Sequence, residues 1–166
     1  RADAYLYCTE VKDPETGWLI PLASSWVIGE KTKTIAKLTP QQDARRYRIE
    51  IHEGVSADEM DSARKAGTLK DYRIIPPNGG PTTPLEVLQR DMRYWTREDV
   101  QPTTDDVFQE RLYCVRWIET HVDENGRIYT SRHYREPTFE DERREGMVLT
   151  LLRERLETWQ KNGYVP

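Results

Sequence analysis

Residues 111–135 read RLYCVRWIETHVDENGRIYTSRHYR. Two runs rich in aromatic and β-branched side chains flank Asp123-Glu124-Asn125-Gly126, and Asn-Gly accepts the positive φ that a tight turn between twisted antiparallel strands needs. The stretch predicts a β-hairpin with Arg111–Val122 and Arg127–Arg135 as its arms. The chain beyond the hairpin is helical in pattern. Thr138 is a candidate N-cap, and from Phe139 to about Lys161 the residues Val148, Leu151, Leu152, Leu156 and Trp159 recur at three-to-four spacing before Gly163 stops the run. That spacing predicts a long amphipathic helix with one buried face.

Upstream of the hairpin the pattern is mostly strand. Ala4–Val11 has strand composition, Asp13-Pro14-Glu15-Thr16-Gly17 is a turn, and Trp18–Leu22 returns as a hairpin partner. Thr32–Leu38 and Arg46–His52 are two further strands, the second alternating Tyr47, Ile49 and Ile51 against Arg46, Arg48 and Glu50, so that the lysines and arginines of the pair share the solvent face. Ser56-Ala57-Asp58-Glu59 is a capping box, and the short helix it opens ends near Gly67. Thr68–Ile75 reads as a strand. After the loop Pro76-Pro77-Asn78-Gly79-Gly80-Pro81, Thr83 as N-cap, Pro84 at the first position and Glu86 at the third predict a short helix through Leu88. Arg90–Thr104 is irregular, with Trp95 as its expected anchor. Strands, helix, strand, helix, hairpin and long helix, in that order, predict an α+β fold with antiparallel pairing rather than a doubly wound sheet. The expected organisation is a β-rich lobe over 1–92 and the hairpin with the C-terminal helix over 93–166, packed as one unit.

A chain of 166 residues is long enough to bury a core without metal or disulfide. Its apolar fraction of 36% is modest and its charged fraction of 33% high, yet five Trp and nine Tyr provide enough apolar surface to exclude intrinsic disorder. No apolar run is long enough for a membrane span, and Arg1-Ala2-Asp3 is neither an initiator Met nor a signal segment, so the expectation is a fragment of a longer protein. Cys8 and Cys114 sit in apolar, strand-like contexts and read as reduced core residues of a cytoplasmic protein.

The net charge of −4 argues against a uniformly basic nucleic-acid binder, but the charges are segregated. Lys31, Lys33, Lys37, Arg45, Arg46 and Arg48 crowd one segment, while Arg127, Arg132, His133 and Arg135 occupy another that has no acid of its own. In the second segment cations interleave with Tyr129 and Tyr134, as phosphate contact combined with base stacking requires. The candidate nucleic-acid-binding residues are therefore Lys31, Lys33, Arg46, Arg48, Arg127, Tyr129, Arg132, His133 and Arg135; the competing reading is a solvated strand with its tyrosines packed inward. Catalytic patterns are thin. His121 and His133 could face each other across the hairpin, but no third ligand is fixed by sequence, and surface histidines are the favoured reading. Asp105-Asp106 falls in a Thr-rich loop, Glu140-Asp141-Glu142 in a helix's first turn where acids suit the dipole, and Ser24-Ser25 has no base beside it.

Two turns remain. Asp13-Pro14-Glu15-Thr16-Gly17 and Pro76-Pro77-Asn78-Gly79-Gly80 each have Pro second and Gly fifth, the outline of the C-P-x-C-G knuckle in which two thiolates grip one zinc ion. Both lack both cysteines. Five stretches, AYLYCTEV with its turn (Ala4–Gly17), IPLASSWVIG (Ile20–Gly29), PPNGGPTTPLEV (Pro76–Val87), YWTREDVQPTTDDVFQERLYCVRW (Tyr94–Trp117) and LLRERLETWQKNGYVP (Leu151–Pro166), carry a resemblance. In them the chain resembles a segment of the adenine-specific DNA methylases that carry a Zn-ribbon module. The resemblance implies that the knuckle ligand positions fall on Asp13, Thr16, Pro76 and Gly79, so that the zinc-ribbon-like part is degenerate and metal-free. It also implies a non-catalytic DNA-binding or target-recognition module of an S-adenosylmethionine-dependent methyltransferase, with DNA and the remainder of the parent protein as partners. A structural or protein-interaction insert of the same parent is the alternative. The segment itself holds no cofactor in this reading: the glycine-rich cofactor loop is missing, and the only Pro-Pro, Pro76-Pro77, lies in the wrong order for the N/D-P-P-Y/F tetrapeptide that holds a flipped base.

Overall fold

A computed structural model describes residues 1–90, 92–96 and 98–164. In chain order the elements are β1 (Ala2–Lys12), β2 (Leu19–Leu22), β3 (Val27–Gly29), β4 (Thr34–Gln41), β5 (Arg46–His52), α1 (Ala57–Lys65), β6 (Leu69–Lys70), β7 (Arg73–Ile74), β8 (Thr83–Pro84), α2 (Leu85–Gln89), β9 (Phe108–Val122), β10 (Ile128–Arg135) and α3 (Phe139–Lys161). The expected α+β class holds. Seven strands form one sheet in the order β10-β9-β1-β2-β5-β4-β3, and β6, β7 and β8 form a small second sheet. Among the described residues every pairing is antiparallel except the single bridge Leu19↔Arg46 between β2 and β5.

The sheet draws on both ends of the chain. β9 lies along β1 from Ala2↔Trp117 to Val11↔Phe108, with register shifts at Ala2/Ala4 and Leu6/Tyr7. Shifts of this kind bend a ladder and sharpen its twist. The sheet curls until its two edge strands approach each other. The Tyr134 ring of β10 packs over Gly29 of β3, 3.5 Å from where a β-carbon would stand, and the Tyr134 N–H donates to Glu53 Oε1 at 2.9 Å. Among the described residues no ladder joins these edges; side chains do.

Two clusters make the core. Trp26, Ile35, Ala36 and Ile49 meet Met60 and Ala63 of α1, while Val11, Trp18, Ile20 and Tyr47 meet Ile74 and Leu88 of the small sheet and α2. Trp18 and Tyr47 lie 5.0 Å apart between ring centres. Burying side chains such as Ile35 and Tyr47 contributes about 1.5–3 kcal/mol each. Cys8 and Cys114 are buried free thiols, and burial pushes the pKa of each up to about 12.

Several expectations are corrected. Thr68–Ile75 is not one strand: Asp71 and Tyr72 take positive φ, 50° and 58°, and fold β6 back on β7. Thr83 does not cap α2; it is buried in β8, and its hydroxyl donates to Asp13. α1 does end near Gly67 as expected, at Lys65. Ala66 is the C-cap, and Gly67 is required because a β-carbon there would collide with the Ser24 carbonyl. Trp95 is half exposed and anchors little; the 93–106 segment is tied down by Arg93, which ion-pairs with both Asp99 and Asp106. The hairpin forms as expected, with Asp123-Glu124-Asn125-Gly126 in the turn between β9 and β10. Of its residues only Gly126 takes positive φ, and the Asp123 carboxylate accepts from the N–H groups of Asn125 and Arg127. The Thr138 cap on α3 forms as a capping box with Asp141, but the predicted buried face does not. Among its residues Asp141 alone is fully buried, and Val148 is 60% exposed.

Candidate nucleic-acid interface

Because side chains alternate along a strand, the basic hairpin cannot present all its cations together. Cross-strand pairs run Tyr129↔His121, Ser131↔Glu119, His133↔Trp117 and Arg135↔Val115, so Tyr129, Ser131, His133 and Arg135 share one face. Arg132 and Tyr134 occupy the other. The expected stripe of Arg127, Arg132 and Arg135 is thereby broken, with Arg127 at the turn.

Three of the candidate cations are committed inside the molecule. Arg135 places Nη1 2.6 Å from Asp141 Oδ2 and lies 5.6 Å from the Trp117 ring centre. Its guanidinium is the main reason the Asp141 carboxyl is held far below the usual range, and that carboxylate in turn raises Arg135. Arg46 grips Glu10 through Nε and Nη2 at 3.0 and 2.7 Å, while Arg111 reaches the other oxygen at 2.8 Å and the Tyr47 carbonyl at 2.7 Å. Glu10 is 1% exposed, so these two arginines neutralise a carboxylate that would otherwise be unpaired in the core. Arg48 pairs with Glu136 at 3.2 Å and Glu50 at 3.7 Å. Nothing in the sequence pattern marked Glu10 or Asp141 as the partners, since each lies far along the chain or on another element.

Lys31, Lys33, Arg127 and Arg132 remain. Their side chains have no ion pair or hydrogen bond among the described residues. Lys31 and Lys33 sit in the turn between β3 and β4, where Lys33 takes φ 49°. That turn follows Gly29, the residue under the Tyr134 ring, and Tyr134 shares the face of Arg132. The curl of the sheet thus sets a basic turn beside a basic strand a hundred residues away in sequence. Tyr129 is 55% exposed and stacks on His121, 5.0 Å between ring centres. His133 is occupied by Ser131 Oγ at 3.0 Å and by Glu53 Oε2 and Glu119 Oε2 at 3.7 and 3.8 Å.

The two proline–glycine turns meet at one end of the second core cluster. Asp13, fully buried, accepts from Thr16 Oγ1 at 2.6 Å, from the Thr16 N–H at 3.2 Å and from Thr83 Oγ1 at 2.7 Å. Tyr47 donates to Asn78 Oδ1 at 2.7 Å, which ties the second turn to the same cluster. The donor set does not fit zinc: Asp13 is filled by hydroxyls and an amide, and Pro76 and Gly79 have no ligating side chain.

Among the described residues no helix is long and apolar enough to cross a membrane. Comparison with protein-family models, with characterised proteins and with solved structures finds no match to this chain.

Proposed function

We propose that this chain is a non-catalytic DNA-contacting module of an adenine-specific DNA methyltransferase, acting in the cytoplasm, where its thiols stay reduced. Its parent supplies the S-adenosylmethionine site and the chemistry. The observation that carries the reading is the juxtaposition of Lys31 and Lys33 with Arg132 across Tyr134, four free cations counting Arg127 at the hairpin tip. Free cations on a curved, rigid surface neutralise phosphates, whereas Arg46, Arg48 and Arg135 are already neutralised within the fold. Arg46, Arg48 and Arg135 therefore leave the contact set and become positioning residues.

The test is a fluorescence-anisotropy titration on one duplex at several salt concentrations. Each lost phosphate contact flattens the dependence of log affinity on log salt by about 0.9. Replacing Lys31, Lys33, Arg127 and Arg132 by Gln is expected to cut the slope by roughly three to four units, while replacing Arg143 and Arg144, which pair with Glu140 on α3, changes it little. A wild-type chain that binds no duplex at low salt, or a quadruple variant that keeps the full slope, removes the DNA role. The second reading then stands, an insert that docks on protein. The open apolar side of α3, beside a groove of about 900 Å³ that Tyr5, Tyr7 and Val148 line, favours it.

A further inference from the structure

The groove of about 900 Å³ between β1 and the first half of α3 has the size of a small-molecule pocket. Tyr5 and Tyr7 leave the same side of β1, and Glu110, paired with Thr9, stands on that side just beyond them. Met147 and Val148 of α3, both more than half exposed, make the opposite wall, and Glu145 brings a second carboxylate to the Tyr7 hydroxyl. We infer that this groove binds a small organic cation of the quaternary ammonium class, its charge held by the two tyrosine rings and the carboxylates of Glu110 and Glu145, its alkyl groups against Met147 and Val148.

Charge complementarity selects that occupant. The other charged side chains on the groove are already matched: Asp3 accepts from Arg116 at 2.6 Å, Asp141 pairs with Arg135, and Arg144 pairs with Glu140 at 3.4 Å. Among the described residues no cation pairs with Glu110 or Glu145, so the groove sets two uncompensated carboxylates beside an apolar wall and disfavours an anion. The face of a tyrosine ring attracts a cation lying within about 6 Å of its centre, and two such faces line the same side. A quaternary ammonium ion suits both surfaces, because its charge is wrapped in alkyl groups and it gives up water more readily than a bare ammonium. The Tyr7 phenol lies among these groups: burial first, then Glu145 and Glu110, raises its pKa, which keeps it a neutral donor to Glu145. The groove shares no residue with the surface of Lys31, Lys33 and Arg132, and the inference does not depend on the DNA role.

Choline and its neutral carbon isostere, in which a tert-butyl group replaces the trimethylammonium head, test the inference when titrated into the whole chain and followed by tyrosine and methionine NMR signals. Choline is expected to shift the signals of Tyr5, Tyr7 and Met147 and to bind at least about fivefold more tightly than the isostere. Tyr5→Leu and Tyr7→Leu should each weaken choline about threefold to tenfold, and Glu110→Gln about fivefold, with the weak binding of the isostere little changed. Butylammonium, which has the head of a lysine side chain, is expected to bind less tightly than choline. Tighter binding of butylammonium would make a lysine of a docked protein the occupant and overturn the inference. Equal affinities for choline and the isostere, no shift at Tyr5 and Tyr7, or unchanged choline affinity in both tyrosine variants overturns it as well. The choline-to-isostere ratio of the wild type decides the matter even where a variant fails to fold.

Discussion

Asp13 shows how much one buried side chain can organise. Its carboxylate is the shared acceptor for Thr16 in the first turn and Thr83 in β8, so it joins two segments seventy residues apart. Replacing it by Ala strands the buried Thr83 hydroxyl and frees the turn, and an unpaired buried polar group costs about 1–3 kcal/mol with each lost charged hydrogen bond adding about 1.5–3. Asp13→Ala is therefore expected to destabilise the chain by about 3–5 kcal/mol in urea unfolding at pH 7, with Asp13→Asn milder. A loss below about 1 kcal/mol would mean that the clasp contributes nothing. The residue identities were legible: Asp-Pro-x-Thr-Gly reads as a turn at once. Its partner was not, because Thr83 before Pro84 satisfies the N-cap pattern equally well, and the local pattern carries no information about a carboxylate approaching from the end of β1.

At the level of elements, α3 separates what periodicity can and cannot say. The spacing of Val148, Leu152, Leu156 and Trp159 specifies a helix with an apolar side, and the helix spans Phe139–Lys161. Periodicity does not say that anything covers that side, and among the described residues Asp141 in the first turn is the one fully buried side chain of the helix. It is bonded to Arg135, Thr138 and the Thr138 N–H. Arg135 and the cap hold the folded carboxyl below its unfolded value near 3.9. A lowered carboxyl favours the fold above that unfolded value and loses its effect as pH falls towards the folded one. Asp141→Asn should accordingly cost about 2 kcal/mol at pH 7, a difference from wild type that shrinks steadily below about pH 4. Thermal melts of both proteins from pH 7 to pH 2 check this, and a gap that stays constant with pH would show that the ion pair adds nothing.

For the whole molecule the decisive feature is a sheet in which the interior strand β1 is paired with β2 on one side and β9 on the other. Residues 1–92 therefore lack one side of their own sheet, and Glu10 would be left without Arg111. The isolated 1–92 segment is expected to show no cooperative thermal transition, whereas the full chain unfolds in one step; sharp melting of 1–92 alone would establish it as an independent unit. The elements themselves were readable in the amino-acid order: the Asn-Gly hairpin, the capping box at Ser56, the N-cap at Thr138, the long last helix and the antiparallel α+β class are all local consequences of propensity, spacing and turn chemistry. Which cations are free was settled only by packing. Arg46, Arg48 and Arg135 look the same in sequence as Arg127 and Arg132, and only the tertiary structure pairs the first three with Glu10, Glu136 and Asp141 and leaves the others to solvent. The physical reason is range: a hydrogen-bonded turn or a helix cap is complete within a few residues, whereas an ion pair needs two segments brought within about 4 Å by the packing of everything between them.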